Sequence, residues 1–150
     1  MHFRGRFEFT VDPKGRVNIP SKFREILQKN GEDFVVITNL DGCLLVYPQS
    51  EWLRIEERVA RAPSMNVNVS NFVRFFLGSA SEVAIDKQGR ILVPQSLRDY
   101  AQFERDVVIM GVGKRFEIWS KDAYFNNFRE SVEMLKDEKA REEIQNIVGI

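Results

Sequence analysis

The sequence predicts a mainly β fold with added helices, an α+β architecture built from two similar units within one chain of 150 residues. Three observations predict it. The stretch Asp12-Pro-Lys-Gly-Arg16-Val-Asn-Ile-Pro20 returns as Asp86-Lys-Gln-Gly-Arg90-Ile-Leu-Val-Pro94, and the offset of 74 positions holds without a gap from Glu8/Glu82 to Arg24/Arg98. Internal repetition of this kind sets the architecture before any single element does. Each Asp-x-x-Gly-Arg segment lies between two short apolar stretches, as a tight turn between strands would. After each proline comes an apolar i, i+3, i+4 face, Phe23, Ile26 and Leu27 in the first unit and Leu97, Tyr100 and Ala101 in the second, which is the spacing of a short helix.

Taken in order, residues 1–9 alternate as a strand, with Arg4 and Arg6 on one face. Asp12, Pro13 and Gly15 occupy positions i, i+1 and i+3 of a type I turn, the places those residue types prefer. Gly15 and Gly89 supply a backbone conformation that a Cβ would penalise. Arg16-Val-Asn-Ile alternates as a half-buried strand, and residues 20–31 read as a helix with proline in its first turn and Gly31 as its stop. Two apolar strands, 33–38 and 43–47, flank the Asp41-Gly42 turn; their counterparts, 106–110 and 115–119, are joined through Gly111-Val-Gly-Lys114. Residues 50–62 read as a helix with Ser50 as N-cap and Trp52, Ile55 and Val59 on one face. A loop over 63–68 and a helix over 71–77, with Phe72, Phe75 and Phe76, lead to Gly78. From Asp122 the tail reads as one helix with an apolar seam at Phe125, Phe128, Val132 and Leu135, short of a coiled coil. The expected boundaries are a first unit at 5–49, a helical connector at 50–78, a second unit at 79–121 and a helical tail at 122–150.

With 43% apolar residues the chain can bury a real core. No apolar run approaches membrane-spanning length, so no membrane partner is expected. A lone Cys43 forms no intrachain disulfide and fits a cytoplasmic setting. Net charge is zero, yet residues 1–30 hold seven basic against three acidic side chains, and residues 129–150 six acidic against four basic. That asymmetry permits a basic face on a neutral protein.

Arg16 and Arg90 follow exposed turns, where a guanidinium reaches phosphates or guanine edges. The competing reading is a surface ion pair with Asp12 and Asp86, which contributes little. Lys14, at the turn tip, reads as a phosphate contact, and Lys87, which opens its turn, as a weaker one. Arg4 and Arg6 either extend the basic face or are edge-strand charges that block strand pairing. Arg24 and Arg98, in helices, are expected to pair with carboxylates. The phenylalanines of residues 71–77, with Trp52 and Trp119, read as core or subunit interface. Gly111-Val-Gly-Lys114 lacks the phosphate-loop spacing and reads as a hairpin turn. An enzyme is disfavoured: His2 is the only histidine and terminal, Cys43 lacks a sequence-near activating partner, and no metal-ligand cluster appears.

The ordered set of Asp-x-x-Gly-Arg, apolar strand, proline and an arginine-bearing helix resembles the SpoVT-AbrB type of DNA-binding domain. Two tandem copies, an opening Phe3-Arg-Gly5, a central Arg74-Phe-Phe-Leu-Gly78 and a closing Glu117-Ile-Trp119 resemble specifically the MraZ family, over nearly the whole chain. The resemblance implies that the two units interlock into one pseudo-dimeric swapped-hairpin (double-split) β-barrel, and that chains assemble into a homo-oligomeric ring. It also implies a cytoplasmic, nucleoid-associated transcriptional regulator without a cofactor or small-molecule substrate. Such a regulator acts mainly as a repressor and binds short direct repeats in double-stranded promoter DNA of the division and cell-wall gene cluster that includes its own gene. Arg16 is then the turn arginine that contacts DNA and Arg90 its counterpart; Gln88 in place of Lys14 makes the two turns unequal. The alternative is an AbrB-like protein-binding module, antitoxin-like or a partner of another pathway protein, with the C-terminal helix as the docking element.

Overall fold

The computed structural model describes all residues 1–150. The chain divides into two compact units, Met1–Ser120 and Lys121–Ile150. The first runs β1 (Phe3–Thr10), β2 (Arg16–Asn18), α1 (Ser21–Lys29), β3 (Phe34–Leu40), β4 (Cys43–Pro48), α2 (Gln49–Ala60), α3 (Val67–Gly78), β5 (Ser81–Ala84), β6 (Arg90–Leu92), α4 (Gln95–Tyr100), β7 (Asp106–Gly113) and β8 (Phe116–Ser120). The second holds α5 (Lys121–Met134) and α6 (Glu138–Val148). The order strand, strand, helix, strand, strand thus occurs twice, in a mixed α/β structure with antiparallel sheets and six helices.

The repeats do not fold side by side. Only the hairpins β3–β4 and β7–β8 pair within a repeat. Every other ladder joins the two: β1 with β7 from Phe3↔Gly113 to Thr10↔Asp106, β3 with β5, β4 with β8, and β2 with β6. The large sheet has the order β1-β7-β8-β4-β3-β5, and β2-β6 form a separate two-stranded ribbon. The large sheet is open, with β1 and β5 as its end strands, so its hydrogen bonding does not make the closed barrel that the family resemblance implies. The ribbon strands stop after three residues because Pro20 and Pro94 follow closely and supply no ladder donor.

One core serves both repeats. Phe23 of α1 lies edge-on to Phe3 at 5.2 Å and to Phe7 at 5.3 Å, and its ring centre is 5.2 Å from that of Phe116 in β8. Val17 and Ile91 of the ribbon, and Leu27 and Leu97 of α1 and α4, close this cluster. All six residues of β4 are buried, the mark of a strand covered on both faces. Trp52 of α2 sits between Tyr47 and Phe76, at 5.7 and 5.4 Å between ring centres, and the Thr38 hydroxyl donates to the Phe76 carbonyl of α3 at 2.6 Å. A buried hydroxyl would be costly without that acceptor. Trp52, Phe76 and Trp119 are therefore core; Phe72 and Phe75 keep part of their rings exposed.

Three local expectations are corrected. Helix α2 starts at Gln49 behind Pro48, and Ser50 does not cap it, because its hydroxyl bonds the Glu32 carboxylate instead. Helix α3 begins at Val67, four residues before the expected start, because Asn66 accepts from the Val69 amide at 3.1 Å and caps it there. The tail is two helices: Leu135 lies in the break, and Asp137 starts α6 by accepting from the Ala140 amide at 3.2 Å. Phe125, Phe128 and Val132 share α5 and remain exposed, as does Leu135.

Candidate nucleic-acid interface

Each Asp-x-x-Gly-Arg segment folds as its residues dictate. In the first, the Gly15 amide donates to the Asp12 carbonyl at 2.9 Å and the Asp12 amide to the Arg16 carbonyl at 3.0 Å. Asp12 Oδ1 accepts from the Lys14 and Arg16 amides, both at 2.9 Å. Gly15 has φ +91°, a left-handed conformation that glycine enters without steric cost. In the second, the Gln88 and Arg90 amides donate to Asp86 Oδ1 at 2.9 and 2.8 Å, and Gly89 has φ +75°. The aspartates are structural: each carboxylate saturates the amides of its own turn.

The other carboxylate oxygen faces the arginine. Arg16 Nε donates to Asp12 Oδ2 at 2.6 Å, and Arg90 Nε to Asp86 Oδ2 at 2.9 Å. The ion-pair reading and the contact reading are thus compatible. Only Nε is engaged, so both terminal Nη groups of each guanidinium remain unbonded and the plane is held in one orientation. A fixed guanidinium loses less freedom when it meets a phosphate or a guanine edge.

The ribbon brings these arginines together. Val17 pairs with Ile91 and both are buried; Arg16 lies opposite Leu92, and Asn18 opposite Arg90. By strand alternation the outward face carries Arg16, Asn18, Arg90 and Leu92. Arg16 and Arg90 are diagonal neighbours there, about 7–8 Å apart at the backbone. Asn18 and Leu92 were missed by sequence reasoning, although the period of two that places Arg16 outward also places Asn18 outward. The antiparallel register puts the two turns at opposite ends of the ribbon. Lys14 and Lys87 are exposed on those turns, while Arg4 and Arg6 are exposed on β1, in the other sheet.

Arg24 and Arg98 differ from expectation. Neither pairs with a carboxylate: Arg24 Nη1 donates to the Gln88 carbonyl at 3.1 Å and Arg98 Nε to the Val93 carbonyl at 2.9 Å. Gly111–Lys114 is a hairpin end, with the Val112 amide donating to the Arg115 carbonyl at 3.0 Å. Cys43 is fully buried, and that burial, aided by the Glu117 and Asp41 charges, pushes its thiol far up, away from the nucleophilic thiolate. The buried Glu117 is spent on Arg115, at 2.8 Å, and on the Trp119 indole, at 3.1 Å.

Hydrogen bonds from the Arg16 amide first, then from the Arg16 side chain and the Lys14 amide, outweigh desolvation and lower the Asp12 carboxyl to about 2. Asp86 is lowered by the same contacts from Arg90 and Gln88. A depressed carboxyl stabilises the turn fully above the ordinary carboxylate range, and that stabilisation is lost as pH falls through the folded value. A carboxyl-carbon NMR titration of Asp12 should therefore show a midpoint near 2. A midpoint near the ordinary value of 3.8 would break the link between this carboxylate and the turn.

Fold and site together define a tandem-repeat protein in which two interlocked turn–strand–helix units present a pair of carboxylate-oriented arginines on one ribbon. The chain belongs to the MraZ family: the family described as "MraZ protein, putative antitoxin-like" matches residues 2–75 and again 76–147, one match for each repeat. Among its relatives, a protein of Clostridium acetobutylicum is 46% identical over 88% of this chain and 91% of its own length. One from Heliobacterium modesticaldum is 48% identical over 81% and 83%, and one from Carboxydothermus hydrogenoformans 49% over 83% and 85%. Each of the three is named Transcriptional regulator MraZ.

Proposed function

We propose that this protein is a sequence-specific DNA-binding transcriptional regulator and that the β2–β6 ribbon is its reading element. The observation that carries the reading is the placement of Arg16 and Arg90 as diagonal neighbours on one solvent face with their Nη groups unbonded. A two-stranded ribbon fits the major groove, which is about 12 Å wide. Arg16 and Arg90 match guanine or phosphate, Asn18 matches adenine, and Leu92 offers an apolar contact for a thymine methyl. Lys14 and Lys87, on turns at the two ends, suit phosphates on either side. Arg4 and Arg6 extend the charge along β1.

In this reading the interlocked repeats form a swapped-hairpin, double-split arrangement whose large sheet stays open. Units at 5–49 and 79–121 are joined by a connector at 50–78 and followed by a tail at 122–150. The protein acts in the cytoplasm, at the nucleoid, and needs no cofactor. It represses a division and cell-wall gene cluster, including its own promoter, by occupying direct repeats as a homo-oligomeric ring. Repeats that match the subunit spacing convert weak single contacts into tight binding by effective concentration. Light scattering on the free protein then gives a mass several times that of one chain.

The test is fluorescence anisotropy with DNA from upstream of this protein's own gene, against a scrambled duplex, over a salt series. The native fragment should bind more tightly, with log K falling against log salt by about 0.9 per phosphate contacted. Equal weak binding to both duplexes would remove the code, and no binding at low salt by the folded oligomer would remove DNA as the partner. The exposed row Phe125, Phe128, Val132 and Leu135 favours a second reading, a protein-binding module that docks a partner on its tail. Co-purification of one stoichiometric partner protein would support it.

A further inference from the structure

The turn of each repeat is completed by the other repeat. Gly89, in the second turn, donates its amide to Asp86 of its own turn, but its carbonyl accepts from the Ile19 amide of the first repeat at 2.9 Å. The mirror bond runs from the Val93 amide to the Gly15 carbonyl, also at 2.9 Å. Ile19 and Val93 stand immediately before Pro20 and Pro94, which lead into α1 and α4. Each strand end that grips the opposite turn is therefore rigidly joined to a helix.

The first turn of that helix makes the second contact. Arg24, whose amide donates to the Pro20 carbonyl at 3.0 Å, lies over Gly89 and gives Nη1 to the Gln88 carbonyl at 3.1 Å. A Cβ at Gly89 would overlap Arg24 Cδ and Nη1. Arg98 covers Gly15 in the same way: a Cβ there would stand 2.6 Å from Arg98 Cζ and 2.7 Å from its Nε. Both glycines are buried although both belong to surface turns. They are glycines for two reasons at once, the left-handed φ and the space taken by an arginine from the other repeat. The two braces differ in detail. Arg24 bonds the opposite turn and keeps a buried, unbonded Nε, whereas Arg98 bonds its own Val93 carbonyl and reaches the opposite turn by packing alone.

We propose that Arg24 and Arg98 are positioning residues, each bracing the DNA-contacting turn of the opposite repeat. Arg24 holds the turn that aims Arg90, and Arg98 holds the turn that aims Arg16. The inference rests on the DNA-binding reading above and deepens it, since it makes the site a product of both repeats. Each arginine is oriented by the aspartate of its own turn, and that turn is held in place by the other repeat.

The experiment uses the full chain. Arg24→Lys keeps charge and stem but removes the planar fork, and Arg24→Met keeps the stem without charge. In the free protein, both variants should shift the amide resonances of Gly89 and Arg90 and leave those of Gly15 and Arg16 in place; Arg98→Lys should do the reverse. Against the upstream duplex, Arg24→Lys should weaken binding about three- to tenfold. That loss should vanish in an Arg90→Ala background and persist in an Arg16→Ala background, because only groups acting as one unit are non-additive. A loss of equal size in both backgrounds would make Arg24 a direct contact and overturn the proposal. So would an unmoved Gly89 amide in the folded variants. If neither Arg16→Ala nor Arg90→Ala alters binding, the DNA reading of the turns falls, and the amide shifts alone then uphold or overturn the brace.

Discussion

Replacing Arg16 and Arg90 together by alanine lowers affinity for the upstream promoter fragment about 100-fold, and Arg16→Ala alone lowers it about tenfold. The size follows from the number of donors removed. Each guanidinium presents two unbonded Nη groups, and a good bidentate contact contributes about 1–3 kcal/mol of discrimination. The variants should still fold, because the turns do not depend on the guanidinium. Asp12 Oδ1 is held by the Lys14 and Arg16 amides, and Asp86 Oδ1 by the Gln88 and Arg90 amides, bonds that alanine retains. Anisotropy with an unchanged thermal transition is the expected result. A folded double variant that binds as tightly as the parent would remove the ribbon as the reading element. The same titration distinguishes code from charge: Asn18→Ala should reduce the preference for the native fragment over the scrambled one, whereas Lys14→Ala should weaken both duplexes alike.

Phe23→Ala destabilises the 1–120 unit by about 3–5 kcal/mol. Phe23 is 1% exposed, and its ring meets Phe3, Phe7 and Phe116, so truncation opens a cavity at the point where both repeats converge. Edge-on aromatic contacts add to the burial that is lost. Unfolding should remain a single transition for this unit, because four ladders cross between the repeats and neither can keep its sheet without the other. Guanidinium titration followed by fluorescence of Trp52 and Trp119 reads this directly, since one tryptophan lies in the connector helix and the other in β8. Two separated transitions would contradict the shared core.

Much of this protein is legible in its sequence, and the legible parts are local. Asp12, Pro13 and Gly15 specify their turn through contacts at most four residues long. The helix faces at Phe23, Ile26 and Leu27, and at Leu97, Tyr100 and Ala101, follow from periodicity. Core membership of Trp52, Phe76 and Trp119 follows from size and hydrophobicity. The family resemblance also stands on ordered motifs, and two successive family matches follow the repeat.

At Ser50, Arg24 and Arg98 sequence reasoning failed because a distant group outcompeted a near one. Ser50 would cap its helix if Glu32 were not beside it. Asn66 is a local case: its cap on the Val69 amide lies in a polar stretch that reads as loop until the helix is seen to start at Val67. Arg24 and Arg98 were expected to find carboxylates, the usual partners of helix arginines. Instead Arg24 bonds the Gln88 carbonyl, Arg98 bonds its own Val93 carbonyl, and each packs into the space that the missing Cβ of the opposite turn's glycine leaves, a neighbour that sequence alone cannot place. By itself the sequence determined the repeat, which is a direct match of letters, and the two turns, their arginines and the helix faces, since each of these depends on residues within a few positions. Only the tertiary structure decided that β1 pairs with β7 and β2 with β6, that Arg16 and Arg90 share one face, and that each turn is finished by the other repeat. Those pairings join residues some 70 to 110 positions apart, and burial of a common core, not local propensity, selects among them.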